Sequence, residues 1–111
     1  MSVSLSTHVL DTERGAPAVG VHVTLYRLAD DGRPLRLTQA LTDDDGRVRD
    51  LLERPLTAGE YRLEFDLVGG EDDEAPFFTR LAVDLSITDV GRSYHVPLLL
   101  ASYSMTTYRG S

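Results

Sequence analysis

The chain has 111 residues, of which 41% are hydrophobic, so it is long enough for one domain with a modest core and too short for two. Its formal net charge of −7 and pI of about 4.7 argue against nucleic acid or an anionic membrane as partner. It contains no cysteine, which excludes disulfides and thiolate metal sites. We expect a cytoplasmic protein, because residues 1–4 lack the basic region of a signal peptide and no apolar stretch approaches about 20 residues.

Short segments of alternating polar and apolar residues follow one another along the chain, separated by turn residues. This pattern predicts strands at 4–10, 21–28, 34–41, 60–68, 80–88, 93–101 and 104–108, and a short strand that starts at Arg47. Loops or turns are predicted at 11–20, 29–32, 43–46 and 50–56, and an exposed acidic loop at 69–75. About eight strands without a helical period predict an all-β sandwich or barrel, as a single domain over residues 1–111.

The segment from Val96 to Leu100 departs from this alternation, because it is apolar on both faces. Pro97 cannot donate to a strand ladder, so we expect it near a sheet edge or at an irregularity. An edge-like strand with two apolar faces favours burial against a partner chain. The alternative is a strand covered by a loop of its own chain.

The side chains that could carry chemistry include three histidines, His8, His22 and His95. None has the spacing of a helical metal motif, and the carboxylates cluster in turns, where solvation explains them. The chain has no phosphate-binding loop, nucleophile elbow or dinucleotide fingerprint. Each histidine alone is more easily explained as structural, and His22 as an exposed strand residue. Periodicity therefore predicts no activity.

Longer stretches of the chain carry a resemblance. Residues 94–100 (YHVPLLL), followed by Ser102-Tyr103 and the closing residues 108–111 (YRGS), resemble the C-terminal signature of the transthyretin-like 5-hydroxyisourate hydrolases. Residues 5–11 (LSTHVLD) resemble their N-terminal signature, 45–47 (DGR) the turn that carries the family's arginine, and 58–63 (AGEYRL) a further segment. The two end signatures together are specific, whereas DGR alone would be weak.

The resemblance implies a transthyretin-like, two-sheet antiparallel sandwich and a homotetramer built as a dimer of dimers, with sites in the channel between dimers. It implies that water opens a lactam bond of 5-hydroxyisourate, giving 2-oxo-4-hydroxy-4-carboxy-5-ureidoimidazoline on the way from urate to allantoin. No cofactor, no metal, no nucleic acid and no membrane are implied. A histidine can exchange a proton near neutral pH, and an arginine suits a purine-like anion, so this chemistry fits the residue types present.

The site residues implied by the resemblance fall into two groups. His8, Arg47 and His95 match the family's catalytic residues, with His95 or His8 activating water and Arg47 holding the substrate's charge. The residues implied to bind substrate are His8, Arg47, Tyr108, Arg109, Gly110 and Ser111. Which histidine acts as the base stays open at this point.

Three departures from the family pattern stand out. Segment 69–75 is short and acidic, Thr79 stands where a proline is typical, and Ser104-Met105-Thr106 replaces the usual Gly-Tyr-Ser. We expect the last to affect the pocket or a dimer contact, because it lies on the final strand.

Two other classes of function remain as alternatives. One is a non-catalytic carrier of a small hydrophobic ligand on the same fold, since fold alone does not fix function. The other is a structural β-module, such as an adhesion domain. A carrier has no need of proton-transfer groups, and an adhesion domain usually carries a secretion signal.

Overall fold

The strands of the chain form two sheets that enclose one core. The computed structural model describes residues 3–68 and 76–110, and within these ranges the chain forms nine strands and no helix. The strands are β1 (Leu5–Asp11), β2 (Ala16–Pro17), β3 (His22–Leu28), β4 (Pro34–Leu41), β5 (Arg47–Val48), β6 (Gly59–Asp66), β7 (Arg80–Ile87), β8 (Tyr94–Leu100) and β9 (Met105–Thr107).

The all-β prediction is confirmed, and the predicted strands are found within two residues of their expected bounds. The described residues form one strand more than expected, because the two-residue β2 lies inside the predicted loop 11–20. The predicted acidic loop 69–75 lies outside the described residues. A search of the described ranges finds no helix that could span a membrane.

The two sheets differ in how their strands are ordered. Sheet I has the order β2-β1-β8-β9, with β5 also paired to β1, and sheet II has the order β4-β3-β6-β7. β1 and β8 run parallel, from Leu5 opposite Tyr94 to Asp11 opposite Leu100, and the other strand pairs are antiparallel. Parallel strands need a long crossover, which here comprises the whole of sheet II.

Strict alternation decides which side chains form the core. Leu5, Thr7 and Val9 of β1 are buried, as are every second residue of β6 and Val96 and Leu98 of β8. Successive side chains of a strand point to opposite faces. The outer face of sheet I therefore carries the intervening residues of β1 and β8, including Ser6, His8 and His95.

Pro97 lies at an irregularity of an interior strand, which is one of the two placements expected for it. β8 is flanked by β1 and β9. The expected irregularity is present: pairing with β9 ends at Leu98 opposite Thr107 and returns as a single bridge between His95 and Gly110. Pro97 falls between these two points, where the missing N–H costs no ladder bond.

A tight turn attaches β5 to β1. The Asp43 carboxylate accepts hydrogen bonds from the main-chain N–H groups of Asp45 (2.9 Å) and Arg47 (3.0 Å). The hydrogen bond from Arg47 N–H lowers the pKa of the Asp43 carboxyl. Gly46 has a φ of 76°, and its carbonyl accepts a hydrogen bond from Val9 N–H at 2.7 Å. The turn therefore determines where Arg47 leaves the chain.

Replacing Gly46 tests how tightly this turn is packed against β1. A Cβ at position 46 would overlap the Val9 carbonyl oxygen and lie 2.9 Å from Pro17 Cβ. Gly32 is a matched control, because its φ is 83° and no heavy atom of the described chain would lie within 4 Å of a Cβ there. We expect Gly32→Ala to lower the free energy of unfolding by about 1 kcal/mol through backbone strain alone. Gly46→Ala should cost about 2–4 kcal/mol, because overpacking is added.

Urea unfolding of both variants at one protein concentration would measure these losses. Equal losses for Gly46→Ala and Gly32→Ala would contradict close packing at the turn.

Candidate active site

Strand register brings the sequence-predicted catalytic residues together on the outer face of sheet I. Arg47 of β5 lies opposite His8 of β1. In the parallel pair, Ser6 of β1 lies opposite His95 of β8, and His95 is bridged in turn to Gly110. His8 and Ser6 are two residues apart, so their side chains leave the same face of β1. The three predicted catalytic residues therefore occupy neighbouring positions.

His8 is held by the turn that also carries Arg47. Its Nε2 lies 2.8 Å from the main-chain oxygen of Asp45. A carbonyl oxygen only accepts, so we assign the proton of the neutral ring to Nε2. Neutral His8 then presents an unprotonated Nδ1. One turn thus orients both the imidazole of His8 and the start of β5.

His95 is fixed by two contacts on different sides of its ring. The Ser6 hydroxyl lies 2.8 Å from its Nδ1. The main-chain N–H of Gly110 donates to the His95 carbonyl at 2.7 Å, and a Cβ at position 110 would lie only 2.8 Å from His95 Cδ2. Glycine at position 110 therefore allows the end of the chain to pack against this ring.

The surroundings of His95 favour the neutral imidazole. Burial lowers its pKa, and the positive charges of Arg47 and His8 lower it further. A hydrogen bond to the Ser6 main chain acts in the opposite direction and offsets part of the effect. A neutral imidazole with one unprotonated nitrogen can accept a proton from water near neutral pH.

Arg47 is half-buried beside a small depression in the sheet surface. The depression has a volume of about 130 Å³ and is lined by Ser6, Thr7, Arg47, Val48 and Arg49. Within the described ranges, no carboxylate forms an ion pair with Arg47, whereas Arg49 pairs with Asp45 at 3.7 Å. The guanidinium of Arg47 is thus placed to bind an anion or a polarised carbonyl oxygen.

The closing residues reach the site to different extents. Gly110 contacts His95 directly. The pairings around it put Tyr108 opposite Pro97 and Arg109 opposite Val96. Tyr108 and Arg109 both line a larger groove of about 430 Å³ between β7, β8 and the tail, which is separate from the depression at Arg47. Ser111 lies outside the described residues.

Sequence reasoning missed one residue of the site, Ser6. Its place on the face of His8 was visible from alternation, but its contact with His95 depends on the parallel register of strands 89 positions apart. In the stretch 104–106, the side chain of Met105 packs against the core. The outward position in this stretch is Thr106, opposite Leu99.

Among residues 3–68 and 76–110, no three His, Asp or Glu side chains converge as metal ligands. The groups that do converge are two imidazoles, a guanidinium and a hydroxyl, which can transfer protons and stabilise negative charge.

Comparison with known proteins matches the chain to one family. The family model of the HIUase/Transthyretin family matches residues 5–110. A 5-hydroxyisourate hydrolase of Halalkalibacterium halodurans is 42% identical, with 100% of both chains covered. The structure of 5-hydroxyisourate hydrolase from Klebsiella pneumoniae has 35% identity and a TM-score of 0.79, covering 97% of this chain and 99% of that one. Sea bream transthyretin in complex with thyroxine has 30% identity and a TM-score of 0.84, covering 96% of this chain and 94% of that one.

The influence of Arg47 on His95 can be measured directly. We expect Arg47→Gln to raise the pKa of His95, because a positive charge that disfavours the imidazolium is removed. Burial should still hold the pKa below its ordinary value. Arg36→Gln on the exposed β4 is the matched control and should leave the titration of His95 unchanged. An NMR pH titration of the His95 ring signals in both variants would measure this pKa. If the pKa does not rise in Arg47→Gln, the charge of Arg47 has no effect on His95.

Proposed function

Because the chain belongs to the HIUase/Transthyretin family, we propose that it is an enzyme that hydrolyses 5-hydroxyisourate in urate breakdown. The product is 2-oxo-4-hydroxy-4-carboxy-5-ureidoimidazoline. The observation that carries the proposal is the convergence of His8, Arg47 and His95 on one sheet face. It is supported by similarity to 5-hydroxyisourate hydrolases over the whole chain.

The reaction breaks one lactam C–N bond with one water. The water oxygen attacks the carbonyl carbon and loses a proton, the carbonyl oxygen becomes an oxyanion, and the leaving nitrogen takes up a proton as the bond breaks. Each step needs a separate group: a base, a charge stabiliser and a proton donor. The two imidazoles and the guanidinium of the site supply one group for each.

We assign His95 as the base, because it is held neutral by burial and by the nearby charges of Arg47 and His8. Arg47 binds the anionic substrate and the developing oxyanion with its fork of N–H donors. His8 acts in its cationic form: its Nε2–H donates to the Asp45 carbonyl, and its second proton, at Nδ1, passes to the leaving nitrogen. His8 is left neutral and is protonated again from solvent, to which His95 releases the proton that it took from water. Tyr108, Arg109, Gly110 and Ser111 are proposed to close the site.

We further propose a homotetramer, a dimer of dimers with the sites in the channel between dimers. The site is open on the outer face of sheet I, where a depression of only about 130 Å³ adjoins Arg47. Leu10 and Leu99 lie opposite each other on this face and are only half-buried. The groove of about 430 Å³ adjoins β7 and β9, which are edge strands of their sheets. Partner chains over both surfaces would bury apolar area and remove free edges.

A non-catalytic carrier is the competing function, and the similarity to a thyroxine-bound transthyretin favours it. A carrier would bind a ligand without any acceleration of hydrolysis. The cytoplasmic location expected from the sequence also stays a prediction, which fractionation of source cells would test.

The central test follows the decay of 5-hydroxyisourate. Freshly generated substrate, made with urate oxidase, should lose its ultraviolet absorbance faster with the chain than without it. His95→Asn and Arg47→Gln should each lower kcat/KM by about 10²- to 10⁴-fold, because a base or a charge stabiliser is lost. His22→Asn is the matched control, since His22 is exposed on sheet II and should keep full activity. If 5-hydroxyisourate decays at the spontaneous rate with the unmodified chain present, the hydrolase proposal is contradicted and a carrier function is favoured.

Deleting residues 108–111 tests the role of the tail. Turnover should fall to the background rate, because the Gly110 contact with His95 is lost. Light scattering should give about four times the chain mass of 12.3 kDa before and after deletion. Full turnover after deletion would contradict a role of the tail in the mechanism. A monomeric mass at the working concentration would contradict the proposed tetramer.

A further inference from the structure

We propose that Ser6 is a positioning residue that fixes the ring of His95 so that only Nε2 is presented to the substrate. This inference rests on the proposed hydrolase function. Ser6 does not contact the reacting atoms and acts through His95 alone.

The first observation is the hydrogen-bond geometry at Nδ1. The parallel pairing of β1 and β8 sets Ser6 beside His95, with Oγ 2.8 Å from Nδ1. The same Oγ lies 3.5 Å from the main-chain oxygen of Tyr94, in a geometry in which the hydroxyl donates. A hydroxyl that donates to Tyr94 is left with its lone pairs for His95, so it accepts the Nδ1 proton. Neutral His95 then has its free lone pair at Nε2.

The second observation is how little freedom remains for the rest of the ring. Gly110 packs against Cδ2, Cγ and Cβ of His95 so closely that an added methyl group would lie 2.8–3.3 Å from them. Ser6 occupies Nδ1 on the other side. Rotation of the ring by 180° would move a carbon to Ser6 and lose this hydrogen bond. Ser6 therefore specifies one ring orientation as well as one tautomer.

The third observation is that the hydroxyl orients without adding charge. The charged and titratable groups on the elements next to His95 are His8 and Asp11 on β1, Tyr94 on β8 itself, Arg47 on β5, and Tyr108 and Arg109 in the tail. The one carboxylate among them, that of Asp11, lies opposite Leu100, five residues along β8 from His95. A carboxylate at position 6 would orient the ring equally well but would favour the imidazolium, which cannot accept a proton. Serine orients the ring without adding a negative charge that would favour the imidazolium.

The test separates orientation from folding. Ser6→Ala should lower kcat by about 10- to 100-fold with little change in KM, because the base is present but no longer held in one tautomer. Ser6→Thr keeps the hydroxyl and suits a strand, so it should restore most of the lost kcat. Ser6→Asp should move the acidic limb of the kcat/KM profile to higher pH, because a carboxylate beside Nδ1 raises the pKa of His95.

A measurement on the unreacted protein decides the same point without turnover. The ¹⁵N signals of His95 should show Nδ1–H with an unprotonated Nε2 in the unmodified chain and in Ser6→Thr, and a mixture of tautomers in Ser6→Ala. An Nε2–H tautomer in the unmodified chain would overturn the inference, as would an unchanged kcat in a folded Ser6→Ala variant. If the unmodified chain fails to hydrolyse 5-hydroxyisourate, the proposed function fails, and the ¹⁵N signals still decide whether Ser6 sets the tautomer.

Discussion

The parallel pairing of β1 with β8 is the contact on which both the sandwich and the site depend. It joins a segment near the start of the chain to one near its end. Hydrogen bonds just outside β1, on both sides, extend the pairing. Tyr94 N–H donates to the Ser4 carbonyl at 2.8 Å, and Thr12 N–H donates to Leu100 at 2.8 Å. Past that point the Glu13 carboxylate accepts hydrogen bonds from both N–H and Oγ of Ser102, and the hydroxyl bond lowers the pKa of Glu13. A register shift of one residue would turn His95 into the core, so this pairing fixes the face of the site.

Electrostatics explains why such a small positive region matters in an acidic protein. The net charge of −7 repels an anion at long range, but surface charges more than about 10 Å apart are largely screened. Within the site, Arg47 carries a positive charge that no carboxylate of the described residues pairs with. Burial lowers the pKa of His95, and this charge lowers it further. In the proposed mechanism the same charge binds the anionic substrate, so substrate binding and base activation share one cause.

Much of this architecture was predictable from the sequence, because strands with one buried face carry a period of two. The faces of β1, β6 and β7 follow from that period alone, whereas β3 also buries Thr24 on its other face. The choice of His8, Arg47 and His95 came from resemblance, since periodicity treats each as an ordinary polar residue. What could not be predicted is long-range register. Ser6 and His95 are 89 positions apart. The sequence could not choose between an edge and an irregularity for Pro97, because the gap in pairing beside it is visible only once β9 is located.

The tail shows how one short segment can serve two surfaces. Gly110 lies on the outer face of sheet I against His95, whereas Arg109 lies opposite the inward-facing Val96 and lines the groove beside β7. Because neighbouring residues of an extended chain point to opposite sides, a shift of the segment at the groove must also move Gly110 at the ring. The single hydrogen bond from Gly110 to the His95 carbonyl thus links the geometry of the groove to that of the proposed base. A chain bound in the groove would restrain the tail, and through it the imidazole of the proposed base.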